Sequence, residues 1–163
     1  MKILYLANVR LPTTNAHGLQ ISKMCEALAL TGAEIVLLAP RRFNHIEEDI
    51  FSYYGLRRNF QVKILPTPDL NAWGWLGFWF QNLFFSLFAF FYCLIHSDFD
   101  LVYSRDELPL FLLSFFTPKT VWEIHLNKFN FLIKSLTRRT LAVTAISGGL
   151  KQFLSDNGVK PSK

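Results

Sequence analysis

A glutamate and a histidine stand two residues apart at the end of an apolar stretch, in the segment VWEIHLNK. If that stretch is a β-strand, Glu123 and His125 point to the same face of the sheet. A histidine there can act as a general base or donate a hydrogen bond to a ligand oxygen, and a neighbouring carboxylate would orient its ring. The alternative is a histidine at the start of a loop, satisfied by backbone groups. The residues alone leave both interpretations open.

A second set of polar residues follows another apolar run, in the segment VYSRDELP. Arg105 could hold an anionic group of a substrate through a forked contact. Alternatively, Arg105 could pair with Asp106 or Glu107. We expect Asp106 to cap the helix that follows it.

Two stretches with glycine join a predicted strand to a predicted helix. The first, ANVRLPTTNAHGLQ, is long for such a connection, and long loops at this position commonly bind ligands. Gly18 would lie beside a helix N-terminus whose N–H groups can bind a phosphate or a sugar hydroxyl, although a tight turn would also explain it. In the second stretch, Ser147 precedes Gly148 and Gly149 and is predicted to cap a helix.

Several kinds of site are disfavoured by the motifs that the sequence lacks. The dinucleotide pattern GxGxxG and the phosphate-binding pattern GxxxxGK[ST] do not occur, which argues against a nicotinamide or flavin cofactor and against an ordinary nucleoside triphosphatase. The hydrolase pattern GxSxG is not matched either. Because no third ligand lies at a useful spacing from Glu123 and His125, we expect no metal.

The overall composition is that of one well-filled domain. The chain has 163 residues, of which 51% are hydrophobic and 18% charged, with a net charge of +5. A moderate positive charge suits an anionic ligand or an anionic membrane surface, whereas the absence of basic runs interleaved with aromatic residues argues against nucleic acid. We expect Cys25 and Cys93 to be reduced core residues of a cytosolic protein.

Apolar strand-like runs alternate with helix-length segments along the chain. The predicted strands are Ile3–Ala7, Glu34–Leu38, Gln61–Leu65, Leu101–Ser104, Thr120–Ile124 and Leu141–Ala145. Continuous apolar runs are typical of parallel strands that are covered on both faces. The sequence therefore predicts one α/β domain over residues 1–163, a doubly wound, mostly parallel, Rossmann-like sheet that binds ligands at the carboxyl ends of its strands.

The segment from Asn71 to Ile95 contains no charged residue. By length it qualifies as a transmembrane helix. Its small and polar residues fall mostly on one half of a helical wheel, and the sheet needs a strand on each side of it. We therefore expect a long crossover helix packed on the sheet and touching a bilayer, with a true span as the alternative.

In order, these fragments resemble the N-terminal domain of the retaining glycosyltransferases of family 4, which have the two-domain GT-B fold. The resemblance covers nearly the whole chain and rests on four stretches: MKILYLANVRLPTTNAHGLQISKMCEALALTGAEIVLLAP, FDLVYSRD, VWEIH and AVTAISGGLKQFLSDNGVKPSK. In that family this domain chiefly holds the acceptor, and the C-terminal domain binds the nucleotide.

The resemblance implies transfer of a sugar, with retention, from a nucleotide-sugar to a glycan or a lipid-linked acceptor, without a metal or other cofactor. His125 matches the histidine that faces the transferred sugar and is the catalytic candidate, with Glu123 supporting it. Gly18 matches the glycine loop near the donor phosphates, and Ser147 matches the serine that opens the last helix. The usual Gly-Gly pair is replaced here by Ala16-His17-Gly18, which makes His17 a further binding candidate.

The resemblance also implies partners for this chain. In that family the acidic EX7E motif belongs to the donor domain, which would follow the stretch that the resemblance covers. We therefore expect a C-terminal donor domain or a separate donor subunit to complete the cleft, and no transferase activity from these residues alone. A cytoplasmic enzyme peripheral to the inner face of the membrane is expected, with Arg57–Arg58 and Trp73–Trp79 on anionic lipid. The alternatives are a non-catalytic sugar-phosphate or nucleotide-binding module and a membrane-associated scaffold subunit.

Overall fold

A single parallel sheet of six strands forms the centre of the molecule. The computed structural model describes residues 1–160. The strands are β1 (Lys2–Leu6), β2 (Glu34–Pro40), β3 (Gln61–Leu65), β4 (Leu101–Ser104), β5 (Thr120–Ile124) and β6 (Ala142–Ala145), in the order β3-β2-β1-β4-β5-β6. All neighbouring strands pair in parallel. The predicted α/β fold with a parallel, Rossmann-like sheet is confirmed, with strand ends shifted by one or two residues.

Helices connect the strands. They are α1 (Ala16–Leu30), α2 (Ile50–Tyr54), α3 (Gly74–Ile95), α4 (Glu107–Leu113), α5 (Phe131–Arg139) and α6 (Gly148–Asp156), and a single 3-10 turn, Asn71–Trp73, precedes α3. The short α2 was not predicted from the sequence. It begins at the Asp49 side chain, which accepts hydrogen bonds from the backbone N–H groups of Phe51 and Ser52, and it ends at Gly55, whose φ is 60°.

The helices lie in two layers, one on each face of the sheet. Helices α1 and α2 cover one face, with Ile21, Cys25 and Ile50 packed against strands β1 and β2. Helices α3 to α6 cover the other face, where their apolar side chains meet the alternate residues of the same strands. Cys93 packs on this second face, so the sheet separates the two cysteines, and both are free thiols.

Helix α3 is the crossover between β3 and β4, as the sequence predicted. By length and composition it is also apolar enough to cross a membrane. However, β3 and β4 belong to the same sheet, and a single crossing would leave them on opposite sides of the bilayer. The fold is therefore incompatible with a membrane span at α3, and the helix packs along the sheet instead.

The strand order reverses direction between β1 and β4. From β1 the chain first extends the sheet through β2 to β3, and then returns to place β4 on the other side of β1. In doubly wound sheets, the loops at the carboxyl ends of the two central strands diverge at this point and leave a crevice for ligands. The crevice lies between the loop after β1 and the loop after β4.

Candidate functional site

A chain of side-chain hydrogen bonds crosses the carboxyl edge of the sheet. The Glu123 carboxylate, at the end of β5, accepts from the Tyr103 hydroxyl on β4 and contacts Nε2 of His125. The other ring nitrogen of His125, Nδ1, lies 3.1 Å from Nη2 of Arg105. Nη1 of Arg105 donates to Oε1 of Gln20 on α1, at 3.2 Å. This network joins two neighbouring strands and one helix at the predicted ligand crevice.

The partners of His125 determine its tautomer in this arrangement. A guanidinium has only donors, so Nδ1 of the ring must accept from Arg105, and Nε2 must carry the proton that is donated to Glu123. Both ring nitrogens are then occupied. The alternative of a ring satisfied by backbone groups is wrong, because both partners are side chains. For Nδ1 to bind a ligand, Arg105 would first have to move away.

Glu123 is the most buried member of the network, with 3% of its surface exposed. The contact with His125 is the one expected of a residue that orients the histidine. The Tyr103 hydroxyl also lies 3.2 Å from the hydroxyl of Thr144 on β6. Burial raises the pKa of Tyr103, and the hydrogen bond to Glu123 raises it further, so the phenol stays protonated as a donor.

Asp106 does not act as the helix cap that the sequence predicted. It occupies the position before α4, but its side chain makes no capping hydrogen bond. Its Oδ2 accepts instead from the backbone N–H of Asn8, at 2.6 Å, across the crevice between β1 and β4. Burial raises the pKa of Asp106, against the opposing effects of the Asn8 hydrogen bond and of the Arg105 charge. The structure does not show the alternative in which Arg105 pairs with Asp106 or Glu107, because the Arg105 side chain contacts Gln20 and His125.

Asn8 connects the loop after β2 to helix α3 at this edge, and it was not predicted as a site residue from the sequence. Its side-chain Oδ1 accepts from Nη2 of Arg42 at 2.7 Å, and its Nδ2 donates to Oδ1 of Asn82 on α3 at 3.0 Å. The sequence positions of these residues could have indicated a site, because Asn8 lies two residues beyond β1 and Arg42 lies two residues beyond β2. Polar residues just after central strands of a doubly wound sheet are candidates for its ligand crevice.

A cavity of about 340 Å³ opens beside these residues. It is lined by residues of the β1–α1 loop together with Arg42: Asn8, Val9, Arg10, Thr13, Asn15, His17 and Arg42. Burial lowers the pKa of His17, and the charge of Arg105 lowers it further. Nε of Arg42 is buried without a hydrogen-bond partner. With two guanidinium groups and a neutral imidazole on its wall, the cavity is suited to an anionic or hydroxyl-rich ligand.

Gly18 packs inside the fold and does not face this cavity as a flexible loop residue. It is the third residue of α1, so the tight-turn alternative is wrong. A β-carbon at this position would overlap with the Tyr54 hydroxyl and the Thr13 methyl group. The backbone N–H of Gly18 already donates to the carbonyl oxygen of Asn15, at 3.1 Å. Close packing against α2 and the β1–α1 loop therefore accounts for this glycine.

Ser147 caps α6, as predicted. It is exposed, and its hydroxyl accepts from the backbone N–H of Leu150 at 3.3 Å. The hydroxyl thus serves its own helix, and the structure does not join it to the network of Glu123 and His125.

Comparison with known proteins adds no support to the resemblance described above. No family model matches the sequence, and a search of the curated proteins finds no significant match. Within residues 1–160 there is also no group of three or more histidine, cysteine, aspartate or glutamate side chains arranged to hold a metal ion.

Proposed function

We propose that this chain is the acceptor-side half of a retaining glycosyltransferase that uses a nucleotide-sugar as donor and a glycan or lipid-linked molecule as acceptor. The observation that carries the proposal is the meeting of Arg105, Glu123 and His125 at the carboxyl edge of the sheet. The charge of Arg105 also acts on His17, which lines the neighbouring cavity. Four residues singled out in the sequence thus gather where a doubly wound sheet binds its ligands.

The network suggests how these residues would act in such a transfer. A departing diphosphate and an oxocarbenium-like sugar both need fixed hydrogen-bond donors and charges. Arg105 is the mobile element of the proposal, because an anionic ligand offers its guanidinium a stronger contact than a neutral imidazole does. When Arg105 turns to the ligand, Nδ1 of His125 becomes free to face the sugar, and Glu123 holds the ring in place. Residues of a donor domain would complete the opposite wall.

A second candidate function is a non-catalytic module that binds sugar phosphates or nucleotides. Two observations favour it. Both ring nitrogens of His125 are occupied within the domain, and the cationic cavity around Arg10 and Arg42 offers an anion site of its own. In this case His125 would only position Arg105.

Two measurements separate these functions. The first is calorimetric titration of the 163-residue chain with nucleotide-sugars and sugar phosphates. The second is release of nucleoside diphosphate when this chain is combined with a donor domain, either in the same polypeptide or as a separate subunit, with His125→Ala and, as a control at the far end of α1, Leu30→Ser. We expect no turnover by the 163 residues alone, turnover by the combined protein, and a loss of kcat in His125→Ala of on the order of 100-fold.

Other outcomes would overturn the proposal. Turnover of a nucleotide-sugar by the 163 residues alone would contradict the need for a second wall. Tight binding of a sugar phosphate, together with no turnover when a donor domain or subunit is supplied, would favour the binding module. Equal kcat values for His125→Ala and Leu30→Ser would remove His125 from the reaction.

A further inference from the structure

The outer side of α3 is apolar and uncovered. Eleven of the 22 residues of α3 are large apolar side chains that are exposed. Trp75 is 71% exposed, Trp79 50% and Phe91 57%. We call the exposed apolar side chains of Gly74–Ile95 the α3 face. A contiguous apolar surface of this size on a folded domain marks a site of contact with another phase or molecule.

The inner side of α3 is held on the sheet by polar contacts. Nε2 of the fully buried Gln81 donates to the Thr67 hydroxyl at 3.4 Å, and its Oε1 accepts from the backbone N–H of Leu70 at 3.3 Å. Asn82 accepts from Asn8 in the loop after β1. Rolling the helix to hide the α3 face would break these contacts and bury tryptophan in place of glutamine. The α3 face therefore stays outward.

A basic region borders the α3 face on the same side of the sheet. Between residues 96 and 160 seven exposed charged side chains are basic: Lys119, Lys128, Lys134, Arg138, Arg139, Lys151 and Lys160. Three are acidic, Asp98, Asp100 and Asp156, and the first two of these contact Lys2. The remaining acidic residues of this stretch, Asp106, Glu107 and Glu123, are buried or half-buried. We call the four basic residues Lys119, Lys134, Arg138 and Arg139 the basic border.

Aromatic contacts connect the α3 face to the basic border through α4. The rings of Phe90 on α3 and Phe116, just after α4, have centroids 4.6 Å apart. The guanidinium of Arg139, at the end of α5, lies 3.9 Å from the centre of the Phe115 ring. The exposed Phe115 and Phe116 thus link α3 to Arg139 of the basic border.

We propose that the α3 face and the basic border dock the protein on an anionic lipid bilayer, with α3 lying in the plane of the interface. The basic border supplies the charge complementarity, since lysine and arginine near an anionic surface are attracted to it. Tryptophan and phenylalanine are the side chains that favour the interfacial layer. This docking is independent of the proposed transferase function.

The distribution of the exposed residues around α3 favours lipid over a second protein. At 100° per residue, the exposed side chains of Trp75, Leu76, Phe78, Trp79 and Phe80 cover an arc of about 200°. A flat protein partner covers one side of a helix, whereas lipid chains can surround most of its circumference. The first two turns of α3 are therefore suited to insertion among lipids.

The basic residues that the sequence analysis assigned to lipid contact lie elsewhere. The Arg58 guanidinium lies 5.0 Å from the centre of the Phe51 ring, and the backbone N–H of Arg57 donates to Glu26 on α1. Both belong to the layer of α1 and α2, on the opposite face of the sheet from α3. Arg57 and Arg58 therefore do not share a surface with α3, and the basic border takes their place in the proposal.

Flotation with vesicles tests the proposal. The wild-type chain is mixed with vesicles of phosphatidylcholine alone, or of phosphatidylcholine with phosphatidylglycerol, at low and high salt. We expect flotation with the anionic vesicles, weakened by salt. Trp75→Ser/Trp79→Ser should lower the partition coefficient more than roughly 10-fold. Lys119→Gln/Lys134→Gln should lower it roughly 10- to 30-fold on anionic vesicles only. The matched control is Leu30→Ser/Lys23→Gln on α1, which should bind as wild type.

Circular dichroism and urea unfolding show that each variant is folded. A folded wild type that does not float with either vesicle overturns the proposal. Salt-insensitive flotation that Lys119→Gln/Lys134→Gln leaves unchanged overturns the role of the basic border. If sedimentation without lipid shows a dimer that Trp75→Ser/Trp79→Ser dissociates, and vesicles do not compete with it, a second copy of the chain is the occupant and the lipid proposal fails.

Discussion

The buried carboxylate of Glu123 is the shared partner of several polar side chains in the site. It holds hydrogen-bonding partners on both oxygens, Tyr103 on one and His125 on the other. A buried acceptor that loses a donor retains its desolvation cost without compensation. Any change to either partner therefore acts on the stability of the fold as well as on the site.

Replacing Tyr103 by phenylalanine tests this dependence. We expect Tyr103→Phe to lower the free energy of unfolding by about 1–3 kcal/mol, because one oxygen of Glu123 loses its donor while the ring still packs against Tyr5. Chemical denaturation in urea measures the difference. Thr144→Val is the matched control, since Thr144 is exposed and its hydroxyl is a secondary partner of Tyr103; we expect a change below about 0.5 kcal/mol. Equal effects of the two substitutions would contradict this account.

The effect of replacing Gly18 depends on whether there is room for a β-carbon at that position. In an ordinary helix, replacing glycine by alanine raises the free energy of unfolding by about 0.5–1 kcal/mol. At Gly18 the added methyl group would meet Tyr54 and Thr13. The Tyr54 hydroxyl cannot easily retreat, because it accepts from the backbone N–H of Thr13 at 2.8 Å and donates to its carbonyl oxygen at 2.7 Å. We therefore expect Gly18→Ala to destabilise by about 1–3 kcal/mol.

The urea midpoint of Gly18→Ala should be compared with that of Gly149→Ala. Gly149 also lies in the first turn of a helix, but a methyl group added there would have the Ser147 hydroxyl as its nearest neighbour, at 4.0 Å. Gly149→Ala should be neutral or stabilising. If the Gly18→Ala protein were more stable than wild type, Tyr54 of α2 would not crowd this position as described.

At the scale of elements, the short helix α2 fixes the loop that lines the cationic cavity. Tyr54 is the last residue of α2, and it holds Thr13 of the β1–α1 loop by two hydrogen bonds. A five-residue helix has little stability of its own. It depends on its cap, where Asp49 accepts from two backbone N–H groups and contacts Arg58 at 2.7 Å. The shape of the cavity is thus linked to one exposed aspartate.

The Asp49 cap predicts a specific pH dependence. The hydrogen bond from Arg58, followed by those from the backbone, lowers the pKa of Asp49 from 3.8 to about 2. Because the pKa is lowered in the folded state, the charged cap stabilises at pH values above about 4, and this contribution is lost as the pH falls towards 2. Asp49→Asn retains a capping side chain but cannot titrate.

Urea midpoints of wild type and Asp49→Asn, measured between about pH 2 and pH 5, check this. The advantage of the wild type should shrink across that interval, and the Asp49 carboxyl carbon should titrate near pH 2 by NMR. If the difference in urea midpoint between wild type and Asp49→Asn does not vary with pH, the charged Asp49 carboxylate does not stabilise α2 as described.

At the scale of the whole molecule, the sheet separates two surfaces with different properties. The side of α1 and α2 carries the network of Tyr103, Glu123 and His125. The side of α3 to α6 carries the α3 face and the basic border. In the proposed arrangement, the sheet's carboxyl edge binds ligand and one helical layer contacts lipid, so a lipid-linked acceptor would reach the crevice from the bilayer surface.

The two thiols report on the integrity of both layers. Cys25 lies in the α1 layer and Cys93 in the α3 layer. Burial raises the pKa of the Cys25 thiol, and it raises that of Cys93 to about 12. Since the thiolate is the reactive form, we expect both to react with a disulfide reagent far more slowly in the native protein than in urea. Cys25→Ala and Cys93→Ala assign each rate, and fast native reaction of one thiol would show that its layer opens.

The sequence by itself determined the elements, and through them the fold. Continuous apolar runs mark β1 to β6, and the alternation with helices leads to a parallel sheet, because each of these signals depends on neighbouring residues. The cap at Ser147 could be predicted for the same reason. The short helix α2 could not be predicted from the sequence, since five residues are too few to show a helical period.

Only the tertiary structure decided which side chains meet. Asp106 bonds to Asn8, 98 residues away, instead of capping its own helix, and His125 meets Arg105 because β4 and β5 are neighbours. Gly18 is explained by Tyr54, and the basic residues beside α3 come from α5 and the end of the α4 connection rather than from the loop before β3. These contacts depend on strand order and register, which bring distant residues together, whereas local sequence signals report only on a residue's neighbours in the chain.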